Sequence, residues 1–365
     1  MIAHYLMVGG FLGAGKTTAL LAAGTHLAML GKRVGLIIND QSEELVDTAL
    51  VRSRAFPVEE IAGGCFCCRF HSLTDAAKKL TAESRPDVFL AEPVGSCTDL
   101  AATVALPLRH MYADRYRVAP LSVMIDPDRA LRVLGIEPGR AFSPKVEYIY
   151  VKQLEEADVL VINKIDKVPP ERLARLRATL AERFPSSRIA TISARTGAGV
   201  GDWIDSLLSG DAAGRVLDID YDTYADGEAL LGWLNGTAIL TGAPAEGDAL
   251  LLDFATAIHR DLAADGLEIA HLKLTLVPSD GHGIAVVNAT RTDSEPELAF
   301  SLDAEVDDAE ITVNLRAEAD PARLEAAVRK ALTARRQDGA TITVTHLERF
   351  RPGRPVPTHR MAATS

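Results

Sequence analysis

Cysteine is scarce in this chain: there are four in 365 residues. Three of them, Cys65, Cys67 and Cys68, crowd into one short run and leave only Cys97 outside it. That spacing excludes a disulfide framework and points to a reducing compartment, with metal or redox chemistry at the cluster. No basic segment precedes the apolar start at residues 1–8, and Gly9, Gly10, Gly13 and Gly15 interrupt it at once, so a signal peptide is not expected. No uncharged apolar run reaches the roughly 18 residues that span a bilayer. Positive charge is also in deficit: the net charge is −11, which argues against a general nucleic-acid binder. Histidine-rich tracts, internal repeats and low-complexity segments are missing too. These absences leave an expected cytoplasmic globular protein with no nucleic-acid or membrane partner.

What is present is ordinary core material, 47% hydrophobic and 24% charged, in a length that suits two domains. Short β-branched runs at 5–8, 34–38, 88–91, 121–125, 159–162 and 189–192 read as buried strands. Amphipathic stretches at 17–30, 73–84 and 170–184 read as helices between them. This alternation predicts an α/β domain over 1–210, with a mostly parallel sheet flanked by helices. Residues 211–247 are expected to be a linker region; the aromatic and acidic run within it, Asp220-Tyr221-Asp222-Thr223-Tyr224, takes no assignment. A smaller α+β domain is expected over 248–350. It reads as a helix at 249–264, strands at 269–277, 284–288, 298–302, 310–315 and 341–347, and a helix at 321–336. The proline-bearing tail 351–365 is expected to be loose.

The run Gly10-Phe11-Leu12-Gly13-Ala14-Gly15-Lys16-Thr17 matches GxxxxGK[ST] between an expected strand and an expected helix, which is the context the motif requires. Glycines let the backbone wrap phosphates, and the amides of Gly13, Ala14, Gly15 and the first helical residues, Thr18 included, face the negative charge. Lys16 should reach the β- and γ-phosphates and the Thr17 hydroxyl should ligate Mg²⁺. Glu92-Pro93-Val94-Gly95 closes the strand at 88–91. It supplies an acid for Mg²⁺ and a glycine for the γ-phosphate, and Ser96 follows where small GTPases carry a water-positioning Gln. Slow intrinsic turnover is therefore expected. Asp40, with Asp47 a few residues on, could orient the attacking water or touch Mg²⁺; equally, Asp40 or Asn39 could cap a helix.

Asn163-Lys164-Ile165-Asp166 follows the strand at 159–162 and resembles the NKxD motif of GTPases. In those proteins the aspartate accepts hydrogen bonds from guanine N1 and its exocyclic amine. A site built on those bonds rejects adenine, which lacks that donor pair. Ser193-Ala194 resembles the second guanine-contacting loop.

Gly63-Gly64-Cys65-Phe66-Cys67-Cys68 offers three thiols in one loop. Thiolates suit Zn²⁺ and similar soft ions, and three ligands leave one position open for exchange. Thiol redox chemistry is the competing reading. Cys97 could be a fourth ligand or a small core residue, and His71 is the best additional ligand candidate.

Taken in order, the phosphate loop, the Gly-Gly-Cys-x-Cys-Cys run, ExxG, NKxD and a small C-terminal α+β domain resemble the CobW-like metallochaperone GTPases, relatives of the UreG and HypB nickel chaperones. The resemblance implies GTP and Mg²⁺ on Gly13, Gly15, Lys16, Thr17, Glu92, Asn163, Lys164 and Asp166. It implies Zn²⁺ or Co²⁺ on Cys65, Cys67 and Cys68, and nucleotide-gated delivery to a client metalloenzyme. A nucleotide-dependent homodimer is implied by likeness alone. The chain departs from many members in having Asn39-Asp40-Gln41-Ser42 for Asn-Glu-Phe-Gly, in lacking a His-rich loop, and in carrying Cys97. These departures hint at a subgroup serving cobalt or corrinoid enzymes. Two other readings are a GTP-dependent chaperone of a corrinoid enzyme and a non-catalytic metal store or sensor.

Overall fold

The computed structural model describes residues 2–39, 56–61, 63–212, 214–333 and 340–362. These form two compact units, one from the described residues up to 225 together with 354–362, the other from those of 226–353.

The first unit is built on strands β1 (Ala3–Gly10), β2 (Val34–Asn39), β3 (Val58–Ile61), β4 (Val88–Glu92), β5 (Tyr116–Val118), β6 (Ser122–Ile125), β7 (Val159–Ile162) and β8 (Arg188–Thr191). They make one sheet in the order β3-β2-β4-β1-β6-β7-β8, with β5 also beside β1. Every pairing is parallel. β2, β4, β6 and β7 are buried along their whole length, as expected of strands covered on both faces. In register, Ile38 pairs with Glu92 and Asn39 with Ile61. The carboxyl ends of β2, β3 and β4 therefore lie along one edge, where open parallel sheets bind ligands. β1 has β4 on one side and β6 on the other, so the loop leaving β1 opens at the point where strand order reverses.

Helix starts follow their local chemistry. The helices Pro127–Val133, Pro144–Glu156 and Pro170–Arg183 each open on proline, whose missing N–H costs nothing there. The Asp126 carboxylate caps the first of them by accepting from Arg129 N at 3.0 Å. The helix Val200–Ser209 buries Val200, Trp203, Ile204 and Leu207, one face at helical spacing.

The second unit is an antiparallel sheet of β9 (Leu231–Glu246), β10 (Glu268–Pro278), β11 (Ala285–Ala289), β12 (Glu297–Phe300), β13 (Glu305–Glu318) and β14 (Ala340–Phe350), in the order β12-β11-β10-β13-β9-β14. The helices Gly247–Ala264 and Pro321–Thr333 supply Phe254, Ile258, Leu324 and Val328 to a core shared with Leu272, Leu274 and Leu315.

Two expectations are corrected. The stretch 211–247 is not a linker throughout: it contains the helix Tyr221–Leu230 and β9, which sits between β13 and β14. Glycines at 232, 236 and 242 broke up its alternation in the sequence. The described part of the tail, 351–362, is not loose either: Thr358 and Met361 donate backbone hydrogen bonds to Cys67 and Ala102. Prolines do not prevent docking when the bonds come from the residues between them. No helix among the described residues is long and apolar enough to cross a membrane.

Candidate functional site

The phosphate loop leaves β1 at Gly10 and enters the helix Lys16–Met29. Gly10 and Gly15 are both left-handed, at φ +127° and +87°. A Cβ on Gly10 would fall 2.5 Å from Met124 O, and one on Gly15 2.5 Å from Asn163 Nδ2. Only glycine fits either place. Lys16 and Thr17 are buried at the helix start and Thr18 is half-buried. The Thr17 hydroxyl donates to Glu92 Oε1 at 3.2 Å, and Lys16 Nζ stands 3.8 Å from the same oxygen. A buried hydroxyl, carboxylate and ammonium thus meet at the end of β4. Gly95 presses against the loop: a Cβ there would fall 2.9 Å from Leu12 Cδ2. Asp40 and Asp47 lie outside the described residues.

Asn163 is a buried hub between the motifs. Its Nδ2 donates to Ala14 O at 3.0 Å, and its Oδ1 accepts from Ala194 N at 3.0 Å. Lys164 is left-handed at φ +58°. That turn brings its ammonium to Gly13 O at 2.9 Å and Asp126 Oδ2 at 2.6 Å. Burial alone would raise the Asp126 pKa. The Lys164 ammonium and the Arg129 amide outweigh it and hold the carboxyl well below the usual carboxylate range. Asp126 escaped the sequence reading, although its position at the end of a strand and before a proline was a usable signal. Asp166 is exposed in the 3₁₀ turn Ile165–Lys167. Ser193 is buried and its hydroxyl accepts from Thr196 N at 3.2 Å. The structure therefore brings Gly13, Ala14, Asn163, Lys164 and Ala194 into one hydrogen-bonded group, with Gly15 packed against Asn163.

The cysteine loop is anchored from the same sheet edge. Asn39, the last residue of β2, donates through Nδ2 to Ile61 O at 2.8 Å and Gly64 O at 2.7 Å. Its side chain thus ties down the loop, a role its sequence position did not reveal. Gly63 and Gly64 turn at φ +73° and +150°. The chain then folds back so that Cys68 N and Arg69 N both donate to Cys65 O. The sulfur of Cys65 lies 2.7 Å from that of Cys67 and 3.3 Å from that of Cys68; Cys67 and Cys68 are 3.7 Å apart. Edges of about 3.8 Å follow from Zn–S bonds of about 2.3 Å in a tetrahedron, so the Cys67–Cys68 edge already matches and Cys65 must move away from Cys67, and less so from Cys68, to hold such an ion. Cys65 and Cys67 are buried and Cys68 is half-buried.

Cys97 is buried too and its thiol lies near those of Cys65 and Cys67, while the sulfurs close enough together to share one ion are those of Cys65, Cys67 and Cys68. The contacts with Cys67, Cys68 and Cys97 hold the Cys65 thiol well below its ordinary pKa, while those with Cys65 push Cys67 up and Cys68 up to about 11. A thiol whose proton is loosened by its neighbours is a nucleus for a soft cation. Gln153 Nε2 fixes the Cys97 segment by donating to Gly95 O at 3.0 Å and Cys97 O at 2.8 Å. The unassigned aromatic run packs on the same turn: Tyr221 Oη donates to Asp99 Oδ2 at 2.7 Å, and Tyr224 Oη accepts from Thr98 N at 3.3 Å. His71 is exposed at the start of the helix Phe70–Ser84.

Among curated proteins, the chain is 28% identical over 232 residues to the zinc chaperone CobW of Sinorhizobium sp, covering 58% of this chain and 64% of that one. It is 27% identical over 168 residues to the zinc chaperone YeiR of Escherichia coli K12, covering 45% and 47%. The matched region thus spans roughly half to two thirds of these relatives' length. Among solved structures, HypB from Helicobacter pylori in complex with nickel aligns with a TM-score of 0.42 at 16% identity, over 56% of this chain and 86% of that one. The family model for the CobW/HypB/UreG nucleotide-binding domain matches residues 4–190, about half of the chain, and the chain belongs to that family.

Proposed function

We propose that this protein binds and hydrolyses GTP and uses its nucleotide state to hold and release a transition-metal cargo, delivered to a client metalloprotein. The observation that carries the reading is the shared segment after β4. It begins at Glu92, which bonds Thr17 of the phosphate loop, and runs through Gly95 on Leu12 to Cys97 in the thiol group. A change at the γ-phosphate end of such a packed segment is felt beside the thiols at the other.

Each residue group has a task. Loop amides, the helix N-terminus and Lys16 take the phosphate charge. Thr17 and Glu92, hard oxygen donors buried side by side, suit Mg²⁺, which when bound would neutralise charge on the transferred phosphoryl group. Asp166 reads guanine, while Asn163 ties the base-side and phosphate loops together. Ser96 in the position after Gly95 has no side-chain carboxamide to align water, consistent with slow intrinsic turnover. The three loop thiols with Cys97 favour a soft or borderline cation. Zinc is the first choice, because relatives are named zinc chaperones; cobalt fits the same donors.

The test is calorimetric GTP binding in Mg²⁺, with and without one equivalent of Zn²⁺. Linkage requires each ligand to change the other's affinity by the same factor. GTP affinity should therefore shift severalfold with zinc, and the shift should vanish in Cys67→Ser. Identical GTP affinity in both conditions would remove the coupling and leave a nucleotide-binding protein with an independent metal site.

A further inference from the structure

Residues 354–361 lie along the thiol loop, held at several points. Thr358 donates from its backbone to Cys67 O at 2.8 Å and from its hydroxyl to Cys68 O at 3.1 Å. Val356 N donates to the Cys68 sulfur at 3.3 Å. Arg360 bonds the buried Asp99 carboxylate at 2.7 Å and Leu217 O at 2.7 Å, and Met361 N donates to Ala102 O at 3.0 Å. His359 sits between two of these anchors, so its place is set by its neighbours on both sides.

Its ring meets Phe70 edge-on at 4.9 Å and stands 5.9 Å from the ring of His71, at 81° to it. His359 Nε2 is shielded from solvent and has no hydrogen-bond partner among the described residues. A buried ring nitrogen of that kind is costly unless something binds it. Two imidazoles on one tetrahedral zinc, with Zn–N bonds of about 2.0–2.1 Å, have ring centres roughly 5 Å apart. The observed spacing lies within a small rotation of that, and His71 is exposed and free to make it.

We propose that His71 and His359 form a second, nitrogen-donor metal position beside the thiol loop, taking a borderline divalent cation such as Zn²⁺ and exchanging it with the sulfurs. The proposal rests on the reading of the thiols as a cargo site. Imidazole suits zinc but holds it less firmly than a set of thiolates, which is what an entry and exit position needs. Cys68, the half-buried sulfur touched by Val356, is the nearest thiol in sequence to His71. Transfer is ligand exchange: the ion leaves the imidazoles as it gains sulfur, each thiol that binds it gives its proton to solvent, and no electron moves.

The experiment is zinc titration of the full chain by calorimetry, with X-ray absorption at one and two equivalents. The wild type should show a tight sulfur-dominated event and a weaker event with imidazole scattering. His359→Ala, His359→Gln and His71→Ala should each weaken the second event about tenfold or more; circular dichroism checks that the variants fold. Cys67→Ser should lose the tight event and keep the weak one. If the tight event is missing from the wild type but a histidine-dependent event remains, the cargo reading fails and the imidazole position stands. A weak event that survives His71→Ala combined with His359→Ala, or a second equivalent without imidazole scattering, overturns the proposal.

Discussion

The Thr17 hydroxyl donates to Glu92 Oε1 across 3.2 Å, joining the phosphate loop to the strand end from which the chain runs on to Cys97. Gln153 holds the far part of that segment by the carbonyls of Gly95 and Cys97. The segment is thus bonded at the nucleotide end, bonded to Gln153 along its far part, and lies beside the thiols at the other end. Packed interiors deform little and switch between discrete arrangements, so a short, fully held segment is a credible carrier of coupling between the two sites.

Asn39→Ala removes both side-chain bonds from β2 to the cysteine loop. Losing them takes the donor from one buried and one part-buried carbonyl, so stability should fall by about 1–3 kcal/mol. Zinc affinity should fall with it, because Gly64 immediately precedes Cys65. Denaturant unfolding and zinc titration check this; unchanged zinc affinity would mean that the loop holds its shape without Asn39.

Asp166→Asn should abolish base discrimination while leaving the phosphate loop intact. Asp166 is exposed in its turn, so the fold should tolerate the change. GTP affinity should drop about a hundredfold or more, since a site built on hydrogen bonds loses most when one partner changes sign. ATP affinity should stay weak. Retained GTP preference would move guanine recognition elsewhere.

Glu156 is buried beside the same segment, accepting from Ala101 N and Thr98 Oγ1 at 3.2 Å each. Burial, with the nearby Asp99 charge, outweighs those bonds and pushes its carboxyl up from 4.5 to about 8. Between those values the folded chain holds a proton that the unfolded chain releases. Its contribution to stability is therefore complete below about 4.5 and is lost as pH rises through about 8. The melting temperature should decline over that window in the wild type and decline less in Glu156→Gln. Parallel profiles would show that Glu156 is ionised throughout.

Much of the nucleotide site could be read from the chain because its motifs are local. Gly10 to Thr17 is one loop, Asn163 to Asp166 another, and each follows a strand whose apolar run is plain. The six strands read in the first unit are all present, whereas β3 and β5 are short and β3 carries Glu59 and Glu60, so neither shows a clear apolar run. β9 was obscured by its glycines and lay in a stretch read as a linker. The features that join the two sites were not legible, because they are long-range. Asn39 reaches Gly64, Gln153 reaches Cys97 and Thr358 reaches Cys67. None of these pairs is marked by spacing, and a tail with three prolines between Arg351 and Thr358 reads as unstructured however well it docks.

The most direct measurement of the account is zinc affinity of the full chain in three states: with a non-hydrolysable GTP analogue and Mg²⁺, with GDP and Mg²⁺, and without nucleotide. A difference of about tenfold or more between the triphosphate and diphosphate states, some 1.4 kcal/mol of coupling, is the expected result. Equal zinc affinity in all three would contradict the account and reduce the thiol group to a metal site that the nucleotide does not govern.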